Sequence, residues 1–195
     1  MKITITEYYL IAINIIGFVM YRILISVCSR KADKKPDIAA LVLSFLGGSP
    51  GVLLSVILSG KKAEKENMMS RVIIYCLLVL QIIIYLITKG YYTDSITFDL
   101  YSFLARHKAF VLYLLIINII AFSAFAIDKY NAVKKKFRIK ISTLLGLAFA
   151  GGSAGSLIAM YLLRHKTQKK YFSVGVPLII ITQITVVFYI INSGL

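Results

Sequence analysis

The sequence predicts an all-α integral membrane protein built from two tandem three-segment repeats, and three observations carry that reading. Apolar side chains make up 59% of the 195 residues, well above the roughly 45–50% found in soluble globular chains even when glycine is counted. Lys and Arg number 23 against 8 Asp and Glu, a net charge of +15, and these charges crowd into short connections between apolar stretches. Finally, the chain resembles itself at a shift of 104 residues. A soluble core, intrinsic disorder and a collagen-like chain are excluded by the first two observations.

Six apolar stretches, 8–27, 38–59, 72–88, 110–127, 141–163 and 171–191, have about the 17–25 residues a helix needs to cross a bilayer. Before the first lie only Lys2 and Glu7, no A-x-A site follows it, and its positive charges come after it. It reads as an uncleaved anchor with the N-terminus outside. The second is interrupted at its middle by Gly47-Gly48-Ser49-Pro50-Gly51, which leaves two half-helices of about 15 Å, enough to reach the bilayer midplane. The third leads into the longest connection, 89–109, which is also the least basic. The fourth carries Asn118 and ends at Asp128-Lys129; the fifth repeats the break as Gly151-Gly152-Ser153-x-Gly155; the sixth follows the run Arg164 to Lys170. The predicted organisation is a first, degenerate repeat over 1–90, an external connecting loop over 91–109 and a second repeat over 110–195.

The repeat rests on polar and glycine positions rather than on aligned Leu and Ile. At the shift of 104, Tyr9 meets Tyr113, Asn14 meets Asn118 and Phe18 meets Phe122. Without a gap, Gly47, Gly48, Ser49 and Gly51 meet Gly151, Gly152, Ser153 and Gly155, and Lys62 meets Lys166. Positive charge then weighs two topologies. With Arg22, inside the first segment, left out, each side receives 11 basic residues if all six segments cross; if the second and fifth are re-entrant, the cytoplasmic side receives 18 and the outside 4. The positive-inside rule favours the second arrangement, with both termini outside. The competing reading is a continuous helix whose small residues, Ser44, Gly48, Gly51 and Ser55 or Ala148, Gly152, Gly155 and Ala159, form a packing face. In the second copy Ala154 replaces Pro50, and six spans with an inverted pair is the alternative.

The residues Asn118, Phe122, Asp128-Lys129, Arg138-Ile139, Gly151-Gly152-Ser153-x-Gly155, Met160, Arg164-His165-Lys166-Thr167 and Phe172 together resemble the domain of unknown function 1294 family of small bacterial membrane proteins. The resemblance covers roughly residues 112–178, with Lys140-Ile141 where the family usually shows Pro-Glu. The first half resembles it more faintly, keeping Pro36-Asp37 at that position. The resemblance implies a bacterial cytoplasmic (inner) membrane location and brings no activity with it.

Comparison of the two halves singles out the second. Asp128, Lys129, Arg164 and His165 stand opposite Leu24, Ile25, Gly60 and Lys61, so the second repeat is expected to carry the function. The expected function is non-enzymatic: binding of anionic lipid headgroups, or of a membrane protein partner, at the cytoplasmic interface through Asp128, Lys129, Arg138, Arg164, His165, Lys166 and Thr167. Asp128 reads either as a structural ion pair near the headgroups or as a carboxylate that orients Arg164 or Lys166 toward an anionic headgroup. The alternative is a small channel or transporter whose polar path is lined by the two glycine breaks and by Asn14 and Asn118. No nucleophile–base pair and no metal constellation appears, so no cofactor, metal or nucleic-acid partner is expected. Asn14 and Asn118 read chiefly as interhelical hydrogen-bonding groups, His107 as a solvated surface residue, and Cys28 and Cys76 as reduced thiols. With no tryptophan present, Tyr8, Tyr9, Tyr91, Tyr92, Tyr113 and Tyr189 are assigned to an external aromatic belt, and Tyr130 and Tyr171 to the other side.

Overall fold

The computed structural model describes residues 5–28, 37–58, 68–91 and 96–193, and among them helices are the only regular structure. Six helical segments are long and apolar enough to cross a membrane: Glu7–Leu24, Ala40–Leu58, Met68–Thr88, Lys108–Val133, Ile141–Leu162 and Lys170–Asn192. Large apolar side chains also point outward from them, Ile15, Ile57, Ile119, Ile158 and Ile184 among many. Water would not tolerate so continuous an apolar exterior, whereas lipid requires one. The chain divides into two compact units, Met1–Ile84 and Tyr85–Leu195.

The first unit holds α1 (Ile5–Cys28), α2 (Asp37–Leu43), a π-helical turn (Ser44–Gly48), α3 (Ser49–Leu58) and most of α4 (Met68–Thr88). Gly47 stands at φ +113° inside the π turn and kinks the segment. That conformation is costly for any residue with a Cβ. Pro50 falls in the first turn of α3, where its missing N–H costs little. Beyond the kink α3 runs alongside α1 in the same direction: the Tyr9 hydroxyl donates to the Leu46 carbonyl (2.6 Å), and Arg22 reaches the Leu58 carbonyl (3.5 Å). Ala40, near the start of α2, belongs to the same core cluster as Tyr21, Val52, Val56 and Ile74.

The second unit contains α5 (Leu100–Arg106), α6 (Lys108–Val133), α7 (Ile141–Leu147), a second π turn (Ala148–Gly152), α8 (Ser153–Leu162), α9 (Lys170–Ser173) and α10 (Gly175–Asn192). Gly151, at φ +114°, reproduces the kink of Gly47 although no proline follows it. The glycine, not the proline, therefore makes the break. Two contacts locate the ends of the α7–α8 segment. Just before α7, the Ile139 amide donates to Asp128 (2.9 Å), and just after α8 the Leu163 carbonyl accepts from Lys129, so both ends lie at the C-terminal end of α6. Its middle lies near the start of α6, where the Tyr113 hydroxyl donates to the Ala150 carbonyl (2.5 Å). A straight helix of 22 residues would hold its ends about 33 Å apart.

The small residues also form the packing face that the competing reading requires. Ser44, Gly48, Gly51 and Ser55 are buried, as are Ala148, Gly152, Gly155 and Ala159. A Cβ placed on Gly51 would stand 2.0 Å from the Asn14 carbonyl oxygen, and one on Gly155 would stand 2.2 Å from that of Asn118. Break and packing face are thus one feature, because the break lets the backbones touch.

Candidate functional site

Polar chemistry collects at two levels of each broken segment, here called the tip and the base. At the tip, the π turn opens carbonyls that lipid could not satisfy, and side chains of the flanking helices answer them. In the second unit Gln183 Nε2 donates to the Ala148 (2.7 Å) and Phe149 (3.1 Å) carbonyls. Tyr113 takes the Ala150 carbonyl, and Asn118 Nδ2 donates to Gly151 (3.0 Å). Asn118 Oδ1 then accepts the Gly155 amide (2.7 Å), and the Ser153 hydroxyl donates to Gln183 Oε1. The first unit repeats this set: Gln81 to the Ser44 carbonyl (2.5 Å), Tyr9 to Leu46, Asn14 to Gly47 (3.3 Å), the Gly51 amide to Asn14 (2.8 Å), and Ser49 to Gln81.

The base differs between the units. By composition the apolar run stops at Asp128, but α6 continues to Val133, so Asp128 sits inside the helix and its side chain is fully buried. An isolated carboxylate there would cost several kcal/mol. Three donors surround it instead: the Ile139 amide (2.9 Å), His165 Nε2 (2.8 Å) and Lys166 Nζ (2.7 Å). Lys166 also lies 5.0 Å from the centroid of the buried Phe172 ring, which meets Phe125 edge to face at 5.4 Å. This apolar floor strengthens the ion pair above it. Lys129 caps α8 through the Leu163 carbonyl, and in the first unit Arg22 takes the corresponding role at Leu58.

The loop after α8 has an unusual backbone. The His165 amide returns to the Met160 carbonyl (3.0 Å) and the Arg164 amide to Tyr161 (3.2 Å), a Schellman closure whose left-handed residue is normally glycine. Here it is Arg164, at φ +45°, and Lys166 follows at φ +61°. Each position carries about 1–2 kcal/mol of strain. At the matching position the first half has Gly60, which lies outside the described residues, as does Lys61.

The residues singled out from sequence thus fall into groups. Asp128, His165 and Lys166 meet one another; Lys129 binds a carbonyl; Arg138 and Arg164 are exposed; Thr167 is half-buried. Of the two basic partners expected for Asp128, Lys166 pairs with it and Arg164 does not, His165 taking the second place. Asn14 and Asn118 are joined to the tip by Tyr9, Tyr113, Gln81 and Gln183. Composition alone places the two tyrosines in an aromatic belt, and the glutamines correspond only at a shift of 102, which an ungapped shift of 104 cannot pair. His107 is exposed, with Nδ1 2.9 Å from the Phe103 carbonyl and its ring 4.4 Å from the Phe103 ring.

An all-helical chain with six segments fit to cross a bilayer, broken where Tyr, Asn and Gln repair the backbone, belongs to the multi-pass membrane class. Residues 118–172 match the family described as Protein of unknown function (DUF1294). The chain is 37% identical over 71 residues to the uncharacterized protein YsdA of Bacillus subtilis (strain 168), an alignment covering 36% of this chain and 80% of that protein. It is a member of the DUF1294 family. The matched stretch runs from Asn118 at the tip to Phe172 beneath the base. No solved structure matches the chain.

Proposed function

We propose that the chain is a non-enzymatic, multi-pass protein of the bacterial cytoplasmic membrane that holds anionic lipid headgroups at the cytoplasmic interface, and that it arose by tandem duplication of a three-segment unit. The duplication is supported by recurrence of the tip hydrogen bonds at a shift of 104 residues. In this reading the second and fifth apolar segments enter and leave the membrane on one side. That is supported by the approach of Ile139 and Lys166 to one carboxylate and by the 18 to 4 division of basic residues that re-entry produces. The tip reaches deeper than the midplane: from Asp128 to Tyr113 along α6 is about 22 Å. Cysteines replacing Lys140 and Gln168 should react with a membrane-impermeant reagent from the same side, and opposite exposure would overturn re-entry.

The observation that carries the function is the way Asp128 presents arginine. Its two carboxylate oxygens bind Ile139 and His165, the neighbours of the exposed Arg138 and Arg164, so two guanidiniums leave the backbone beside one fixed point. Planar, permanently charged forks at a basic membrane face suit phosphate. Arg164 occupies a left-handed position where glycine would relieve strain, which argues that its side chain has a use. Lys166 and His165 are positioning groups here, being engaged by Asp128. The channel alternative is less well supported, since Ser49, Ser153, Asn14 and Asn118 spend their hydrogen bonds within the protein.

Arg164→Gly separates fold from function. It should melt at or slightly above the wild-type temperature, by about 1 kcal/mol of relieved strain, yet lose the phosphatidylglycerol retained by the purified protein in native mass spectrometry. Arg138→Ala should weaken retention in the same direction. Undiminished retention in the double variant would end the headgroup proposal.

A further inference from the structure

Residues 96–107, between α4 and α6, are tied down through the backbone while their large apolar side chains are left outside. Asn192 of α10 accepts the Thr97 amide (2.7 Å) and donates to the Thr97 carbonyl (3.1 Å). Asp99 caps α5 by accepting the Ser102 amide (3.0 Å), and the His107 amide returns to the Phe103 carbonyl (3.0 Å). Backbone so thoroughly satisfied defines where the side chains stand. Ile96 is 71% exposed, Phe98 81% and Tyr101 84%, and α5 buries none of its residues.

The surroundings say what covers them. Phe98 lies 5.1 Å, ring to ring, from Phe188 of α10, a spanning-length helix whose outer face continues through the exposed Ile184 and Ile181. On the other side Phe103 meets Phe110 of α6 at 6.0 Å. The exposed apolar surface of the segment is therefore continuous with the outer faces of two helices that require lipid. Arg106 and Lys108 follow at its end, where phosphates would lie if the apolar residues were immersed.

We propose that residues 96–107 form an interfacial segment lying in the membrane at the end of α6 opposite Asp128, with Ile96, Phe98 and Tyr101 among the upper acyl chains and Arg106 and Lys108 at the phosphates. The occupant of this surface is the phospholipid bilayer itself. The chain needs only to be embedded for this to hold, so the inference stands apart from headgroup binding at the other end.

Because the protein has no tryptophan, Tyr101→Trp supplies a single tryptophan, excited beyond the tyrosine absorption band, with Phe98→Trp as a second site and Ile119→Trp, exposed on α6, as a deep reference. Each variant is reconstituted into phosphatidylcholine–phosphatidylglycerol vesicles carrying bromine at shallow or deep acyl positions. Tryptophan at 101 and 98 should emit to the blue of free tryptophan, lose most intensity to shallow bromines and resist aqueous iodide; tryptophan at 119 should respond to deep bromines. Iodide quenching as strong as for free tryptophan at 101 and 98 would place the segment in water. Shielding from both quenchers would place it against protein, a second copy included. Either result overturns the proposal.

Discussion

Replacing Asp128 by Asn leaves the side chain's shape and keeps an acceptor for the Ile139 amide, but removes the charge that His165 and Lys166 address. The two side-chain bonds, at 2.8 and 2.7 Å, are of the charge-assisted kind that contributes about 1.5–3 kcal/mol apiece. Both donors are 16% exposed, so part of that is regained as they turn to water, and a net loss of about 3 kcal/mol is expected. For a chain of this size that is a fall in melting temperature of roughly 6–12 °C, read by far-ultraviolet circular dichroism in nanodiscs. Lys166→Met should be comparably harmful, because it strands a buried charge. The double variant should lose clearly less than the two single losses added, since each removes the same interaction. An Asp128→Asn loss below about 1 kcal/mol, the range of an exposed ion pair, or strict additivity in the cycle, would refute the claim that this carboxylate fastens the two loops.

Gly155→Ala should prevent stable accumulation of the protein, because the new methyl group meets the Asn118 carbonyl at 2.2 Å, whereas Gly146→Ala, with nothing within 4 Å, should be neutral or stabilising by up to about 1 kcal/mol; equal yields would discount the close approach. Gln183→Leu should cost about 1–3 kcal/mol and speed amide exchange across 148–152, while Thr185→Val on the exposed side of α10 should do neither. At Asp99 the Ser102 side chain, aided by its amide, holds the carboxyl below its ordinary value. The cap on α5 is therefore complete above the ordinary carboxylate range and lost only as pH falls through the lower folded value. The Ser102 amide resonance should follow that lower midpoint, and a midpoint at the ordinary value would remove the cap from the account.

What could be read in the sequence was whatever the bilayer imposes residue by residue. Segment lengths follow from hydrocarbon thickness, and the break at Gly151 from the need for a residue free to take φ +114°. Partnership was harder, because charge invites a solvated reading. Asp128 ends an apolar run by composition, yet α6 passes through it, since a carboxylate given three donors can be buried where a lone one could not. Which basic neighbour it would take was hidden in a turn: Arg164 in the left-handed conformation sends its own side chain outward and brings the next two residues round to the carboxylate. Gln81 and Gln183 are obscured as a pair by a two-residue difference in spacing between the halves.

The two levels of polar structure diverge in a way that bears on their roles. If the halves are copies, the tip has been kept in both through its Tyr, Asn and Gln donors, as a broken helix in lipid demands, because a missing donor strands a backbone group. The base has no such constraint: the first half carries Leu24 in place of Asp128 and Gly60 in place of Arg164, and Arg22 suffices to cap α3. Asp128, Arg164 and His165 have Leu24, Gly60 and Lys61 as their counterparts, so the proposed headgroup reading rests on the second base, where a buried carboxylate and a strained Arg164 meet.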